Sequence, residues 1–415
     1  MWKSLLTSDL TPPDEIAARI EKFRKAMERE GINFAVILQN VDLFYFTGTS
    51  QKGILVIAVD KDPVFFVEKG LVRAAHETPL AITRIGKDKE VKDILTDKGI
   101  LKGRGGMELD VLPVMAFERW KSILGHDGLA DISPSIRDLR LVKSAFEIEQ
   151  VKKSGEIIDH VFEKAKSVVR EGRREVDIAA ILESEGRMHG HQGLLRMRGF
   201  NQEMMNIYIT HGISGTVVSG NDVPISGTGV THAVAQGPSV NKVRRNNPLL
   251  IDYGGGYNGY ITDETRAYVV GELKEKFAKA HAVAREIIEE TMSFAREGVN
   301  APEIFRKALD RAKRAKLEEH FMGYGEGQVG FLGHGLGLEI NELPVLTPRH
   351  DVILKEGMVF AIEPKFIFPD EGAIGIEVDF IVRQNCLERV TDTPLDVVQV
   401  GAPQPGESAC RCKDE

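Results

Sequence analysis

Two aspartates open the chemical reading of this chain. Asp252 and Asp263 stand eleven positions apart in LLIDYGGGYNGYITDETRAYVVG. Asp252 is expected to end an apolar strand, a Gly-rich turn to follow, and Asp263 to lie on the returning strand, so that a hairpin brings both carboxylates to one place. Two carboxylates held close repel, and one pKa rises unless a cation sits between them. A pair of divalent metals answers that need, since a bridging carboxylate is common in two-metal hydrolytic sites. The plainer alternative is a hairpin with Asp at its turn ends, where Asp is frequent. GGGYNG is not a phosphate loop, because the Gly-Lys-Ser/Thr ending is absent.

His334 lies among glycines in VGFLGHGLGLE, where its ring can approach a metal, and neutral imidazole is the commonest nitrogen ligand. A lone loop histidine can equally be structural, but Gly333, Gly335 and Gly337 need a conformational reason of their own. Two glutamates interrupt apolar runs: Glu363 in MVFAIEPKFIF and Glu377 in AIGIEVDFIVR. An unpaired buried carboxylate is costly, so each needs a partner. Lys365 and Arg383 are candidate partners, and a shared metal serves if both strands face one pocket.

The elements that must position these residues fall into two sets. Asp14 is read as the cap of a helix through Ile16, Ile20, Phe23 and Met27. A buried strand at 33–38, a turn followed by FYFTG, and strands at 53–59 and 63–67 come next, and alternation of helix and strand continues to Leu109. That pattern predicts a small α/β domain. Ser144 and Glu147 fit a capping box opening a long amphipathic helix, which places a boundary near residue 145. Helices are expected at 146–170, 175–188, 273–297 and 301–319, with strand-like pieces between 206 and 265 and paired strands at the end. An α+β domain over 146–415 follows, with a solvated tail from about 403.

The 415 residues carry 54 basic and 62 acidic side chains, interspersed for a net charge of −8. Without a basic stripe, nucleic-acid binding is not expected. No run is long enough to cross a bilayer or to serve as a signal peptide. Three cysteines, Cys386, Cys410 and Cys412, do not make a disulfide framework, and a reducing cytoplasm fits. His189 and His191, in RMHGHQG, are read as solvent-facing or substrate-side contacts, and Tyr260 and Arg266 as supports for the aspartates.

Taken together and in this order, these motifs resemble the pita-bread metallopeptidases, the family of methionine aminopeptidase, aminopeptidase P and prolidase. The N-terminal domain over 1–145, the NVDLFYFTG piece and the LRLVKSAFEIEQ linker resemble its creatinase, aminopeptidase P and prolidase branch. The resemblance implies an α/β creatinase-like domain followed by an α+β pita-bread catalytic domain. It implies two divalent metal ions, Mn²⁺ first with Co²⁺, Zn²⁺ or Fe²⁺ as alternatives, held by Asp252, Asp263, His334, Glu363 and Glu377. It further implies a bridging hydroxide, proton relay by Glu363, a short peptide or amide substrate often with proline after the scissile bond, and a homodimer. His232 is the best match to a histidine that precedes the first Asp, at a longer spacing. Asn341 stands in place of a second histidine, and could donate a hydrogen bond to a carbonyl. Gly375 stands where an arginine is common. These departures keep two other readings open: hydrolysis of a small non-peptide C–N bond, as in creatinase or ectoine hydrolase, and a non-catalytic binding module.

Overall fold

A computed structural model describes residues 8–401, and Cys410 and Cys412 lie outside them. The chain divides into two units. One runs to Ile148 and takes in Arg196–Glu203 and Gly337–Leu343, while the other comprises Glu149–Leu195, Met204–Leu336 and the chain from Pro344.

In the first unit, α1 (Pro13–Glu30) buries the expected stripe of Ile16, Ile20, Phe23 and Met27. Pro12 is its N-cap residue, and Asp14 makes no capping bond; it lies inside the first turn, where its charge meets the positive end of the helix. β1 (Phe34–Ile37) is followed by α2 (Asn40–Thr47), capped by the Gln39 side chain, so the Asn-containing turn is helix. The remaining elements are β2 (Gly53–Ala58), β3 (Val64–Val67), α3 (Leu71–Glu77), β4 (Ile82–Arg84), α4 (Lys89–Asp97), β5 (Gly105–Met107), α5 (Val114–Leu124), β6 (Leu129–Asp131) and α6 (Ser133–Leu141). The strands form one mixed sheet in the order β4-β3-β2-β1-β5-β6, an α/β arrangement. Phe34, Val56, Phe66, Met107 and Trp120 fill its core. Ser144 and Glu147 form the expected capping box, each backbone N–H donating to the other's side chain at 3.0 and 3.2 Å.

The long helix α7 (Ala145–Val168) leads into the second unit, where α8 (Glu175–Met188) follows. β7 (Ile207–His211), β8 (Pro248–Tyr257), β9 (Tyr260–Val270) and β17 (Val398–Val400) make a sheet in the order β17-β9-β8-β7. Ile207, Ile209, Ile251, Tyr253 and Tyr268 point from one face into a core shared with α7 and α8. Side chains alternate along a strand, so Tyr208, Asp252, Asp263 and Thr265 take the opposite face.

The remaining helices are α9 (Glu275–Phe294) and α10 (Ala301–Arg314). A second sheet contains β10 (His334–Gly335), β12 (Val359–Ile362), β15 (Val378–Val382) and β16 (Leu387–Arg389), flanked by β11 (Glu342–Val345). Between β12 and β15 the chain makes a separate hairpin, β13 (Lys365–Phe368) with β14 (Gly372–Gly375).

Candidate metal centre

The glycines after Asp252 do not form the turn. β8 continues through them to Tyr257, and the reversal is the Asn258-Gly259 pair, both residues at positive φ of 50° and 89°. That is the backbone a tight hairpin demands. The glycines serve packing instead: a Cβ at Gly254 would lie 2.3 Å from Leu195, and one at Gly255 2.7 Å from the Ser154 carbonyl. In the resulting register Asp252 faces Thr265 and Gly254 faces Asp263, which makes the two aspartates diagonal neighbours on one face. Tyr208 of β7 pairs with Asp252 and shares that face.

Glu363 and Glu377 do not sit within strands. Each occupies a break, between β12 and β13 and between β14 and β15, where the same two chain arms leave one sheet and enter the other. At the break their amides turn away from each other. The Glu363 N–H donates to the Leu332 carbonyl at 2.9 Å, and the Glu377 N–H to the Thr265 carbonyl of β9 at 3.1 Å. His334 arrives on β10, which can lie against β12 because residue 333 has no side chain: a Cβ there would be 1.9 Å from the Ala361 carbonyl. Gly333 is thus required by close approach, not by left-handed backbone.

The five side chains converge. His334 Nε2 is 3.9 Å from Asp263 Oδ2, 3.9 Å from Glu363 Oε1 and 4.0 Å from Glu377 Oε1. Lys365 Nζ lies 2.9 Å from each of Asp252 Oδ2, Glu363 Oε2 and Glu377 Oε2. Glu363 and Glu377 therefore each give one oxygen to the ammonium and turn the other toward the imidazole. Arg383, the other basic residue considered as a partner, pairs with Glu388 at 2.6 Å.

The donors themselves test whether a cation belongs on the imidazole side. Asp263 Oδ1 and Glu377 Oε1 are buried and accept no hydrogen bond. Oxygens left bare in this way are rare in folded proteins. Asp263, His334 and Glu377 offer ligand atoms all within 4.8 Å of one another. Burial, then the charges of Glu377 and Asp252, hold Asp263 well above the usual carboxylate range. Burial likewise raises Glu377, against the pull of Lys365. Burial would lower Lys365, but Asp252, Glu363 and Glu377 outweigh it and keep the ammonium charged. These residues fit a divalent ion.

A further ring of contacts fixes these side chains. Thr265 Oγ1 donates to Glu377 Oε2 at 2.8 Å, and the Asp263 N–H to Asp379 Oδ2 at 2.8 Å. Arg266 is fully buried and donates to the Glu377 carbonyl at 2.6 Å and to Glu264 at 2.8 Å, a direct support for the centre. Tyr260 is buried at the start of β9, opposite Tyr257. The hydroxyl of Tyr208 donates to Gln236 at 2.7 Å. Thr265, Asp379 and Tyr208 join the residues read from the sequence, and strand alternation is the signal that puts Thr265 and Tyr208 on the face of Asp252.

His232, Asn341 and His191 each have a distinct setting. His232 is exposed on the turn that closes between Thr231 and Val234, and it forms no ion pair among the described residues. Asn341 belongs to the first unit, where Oδ1 accepts from the Arg198 N–H and Nδ2 donates to the Arg198 carbonyl, both at 2.8 Å. That clasp lies beside Arg198's ion pairs with Asp42 and Asp110. His191 is buried, not solvent-facing. Its Nε2 lies 3.0 Å from the Gly254 carbonyl and its Nδ1 accepts from the Gly193 N–H, which steadies β8 beside Asp252. His189 is partly exposed and stacks on His160 at 3.8 Å.

Carboxylates sharing oxygens around one imidazole, set where two sheets exchange strands, define the centre of a metal-dependent hydrolase. The sequence model of metallopeptidase family M24 matches residues 149–384, and that of the creatinase/prolidase N-terminal domain matches residues 19–142. The chain belongs to metallopeptidase family M24 and is a metallohydrolase with a pita-bread catalytic fold. It is 30% identical to the Xaa-Pro dipeptidase of Pyrococcus furiosus over 92% of this chain and 99% of that protein. Among solved structures it resembles the prolidase of Pyrococcus horikoshii, at 25% identity and TM-score 0.76 over 92% of this chain and 100% of that one. The prolidase of Pyrococcus furiosus is similar at 28% identity and TM-score 0.73, over 89% and 99%. Nothing in these likenesses favours small-amide hydrolysis or a non-catalytic module. No helix among the described residues is long and apolar enough to cross a membrane.

Proposed function

We propose that the chain hydrolyses short peptides at the bond before proline, as an Xaa-Pro dipeptidase or aminopeptidase. One observation carries this reading: the five ligand-type side chains meet at one spot in a chain whose full-length relative is an Xaa-Pro dipeptidase. A bound divalent ion supplies a Lewis acid and a water whose pKa falls from 15.7 to about 7. Asp263, His334, Glu363 and Glu377 would hold the ion. Glu363 would take the proton of the attacking water and pass it to the leaving nitrogen, a contribution of about 10²–10⁴-fold. Thr265 and Arg266 keep Glu377 in place by holding its Oε2 and its carbonyl. Tyr208 flanks the same face, its hydroxyl donating to Gln236. Oxygen-rich ligation with a single imidazole suits Mn²⁺. A homodimer belongs to this reading through the resemblance, and a cytoplasmic setting through the scarcity of cysteine.

The test is a panel of Xaa-Pro dipeptides, Xaa-Pro-Yaa peptides and proline-free peptides. It is run on protein as purified, after chelation, after adding Mn²⁺ back, and on Asp263→Ala. Metal-restored cleavage of the proline substrates, lost in the variant, is expected. Cleavage of proline-free peptides alone would sink the proline assignment.

A further inference from the structure

We propose that Lys365 is the permanent occupant of one of the two cation positions in this centre, so that the chain binds one divalent ion and not two. The inference rests on the metallohydrolase reading and concerns how this chain fills its own site. The carboxylate cage has two compartments. On one side Asp263 Oδ2, His334, Glu363 Oε1 and Glu377 Oε1 face one another at distances too long for hydrogen bonds, and the buried Glu377 Oε1 there, like the other Asp263 oxygen, Oδ1, lacks any donor. On the other side Asp252 Oδ2, Glu363 Oε2 and Glu377 Oε2 surround Nζ at 2.9 Å each. An ammonium has three donors, and here all three end on carboxylates.

Two further observations argue that the lysine is built into this place. Its side chain is 3% exposed, so the head group reaches no water to which it could retreat. Its strand position is fixed as well. The Lys365 carbonyl accepts from the Met322 N–H at 2.8 Å, and Lys365 faces Gly375 across the β13–β14 hairpin. A Cβ at residue 375 would lie 2.7 Å from Lys365 Cγ and 2.7 Å from the Pro364 carbonyl. Gly375 therefore leaves the space through which the lysine stem passes, and any larger residue would displace it.

Charge alone does not choose, since the four carboxylates Asp252, Asp263, Glu363 and Glu377 are left one unit short by Lys365 with one divalent ion and one unit over by Lys365 with two; the choice falls to geometry. A second ion would have to take the same three oxygens that the ammonium holds, with like charges in contact at a buried site. The compartment that remains, rich in bare oxygens and holding the imidazole, is the one suited to the ion.

The experiment counts metal without reading activity. The full chain is saturated with Mn²⁺, desalted and analysed by inductively coupled plasma mass spectrometry, with electron paramagnetic resonance on the same samples. Wild type is expected to hold one ion per chain and to show the spectrum of an isolated Mn²⁺. Lys365→Ala is expected to hold two and to show an exchange-coupled pair, and the neutral Lys365→Gln serves if the alanine variant does not fold. Two ions in wild type overturn the proposal, and so does a count that stays at one in both folded variants. If neither variant folds, the wild-type count and spectrum decide. A wild type that binds no Mn²⁺, Co²⁺ or Zn²⁺ overturns the metallohydrolase reading itself, which separates the two failures.

Discussion

Replacing Asp263 with asparagine should make the metal-free protein more stable while abolishing its response to metal. In the native fold the Asp263 carboxylate is buried, Oδ1 accepts no hydrogen bond, and a Glu377 oxygen lies within 4.8 Å. Two unit charges at that separation would repel by about 3.5 kcal/mol at an effective dielectric of about 20, a cost the metal-free fold relieves in part by favouring the protonated carboxyl. Attraction to Lys365 offsets part of this, so the figure is an upper bound. Asparagine keeps the shape, removes the charge, and can donate from its NH₂ to the bare Glu377 Oε1, a gain of about 1 kcal/mol. A net stabilisation of about 2–4 kcal/mol is expected for metal-free Asp263→Asn, which at about 1–2 °C per kcal/mol for a chain of this length raises Tm by roughly 2–8 °C. In wild type, an ion at 100 times its Kd adds about 2.7 kcal/mol. The variant loses a ligand and should gain none of it. Thermal melts of both proteins, in chelator and in excess Mn²⁺, give four values to compare. The reasoning is refuted if Asp263→Asn melts below wild type in chelator, or if it keeps the wild-type upward shift with Mn²⁺.

Arg266 is fully buried against Glu264 and holds the Glu377 carbonyl, so Arg266→Met should leave an uncompensated carboxylate and destabilise by about 3–5 kcal/mol. Urea unfolding measures this; a loss under 1 kcal/mol would show that the Thr391 hydroxyl and the Asp379 N–H, which also donate to Glu264, suffice without the arginine. Stability should also fall on acidification before the bulk of the carboxylates titrate. Burial pulls His211 and His281 down to about 4 from 6.5. Between those values the unfolded chain binds protons that the fold refuses, so stability is complete above pH 6.5 and declines as pH drops toward 4, by up to about 3 kcal/mol per histidine. His281→Leu should flatten part of that slope in melts from pH 7 to pH 4.5, and an unchanged slope would mean that His281 does not titrate there.

Much of the fold could be read from residue pattern because the pattern is local. The α1 stripe, the Ser144–Glu147 capping box and the span of α8 each depend on neighbours within a few positions, where propensity and periodicity act. What escaped reading was set by distant packing. Three glycines after Asp252 look like a turn until Leu195 and Ser154 press against them. Likewise Arg196–Glu203 and Gly337–Leu343 join the first unit through buried ion pairs of Arg140 and Arg198 with Asp42 and Glu339, which nothing in either segment announces.

The centre shows the same division. Asp252, Asp263, Glu363 and Glu377 stood out because a carboxylate in an apolar run demands a counter-charge, and that demand is visible in one dimension. The identity of the counter-charge is not. A metal and a lysine both satisfy it, and the choice turns on whether an ammonium can physically reach three oxygens at once. Here it can, because a β13–β14 register puts Lys365 opposite a residue with no side chain. Had residue 375 carried even a methyl group, the lysine stem and the Pro364 carbonyl would have had to move, and both compartments of the cage would be open to divalent ions. The metal count of this centre is therefore set jointly by Lys365 and Gly375, one a charge and the other a space, ten positions apart in sequence and directly opposed in the hairpin.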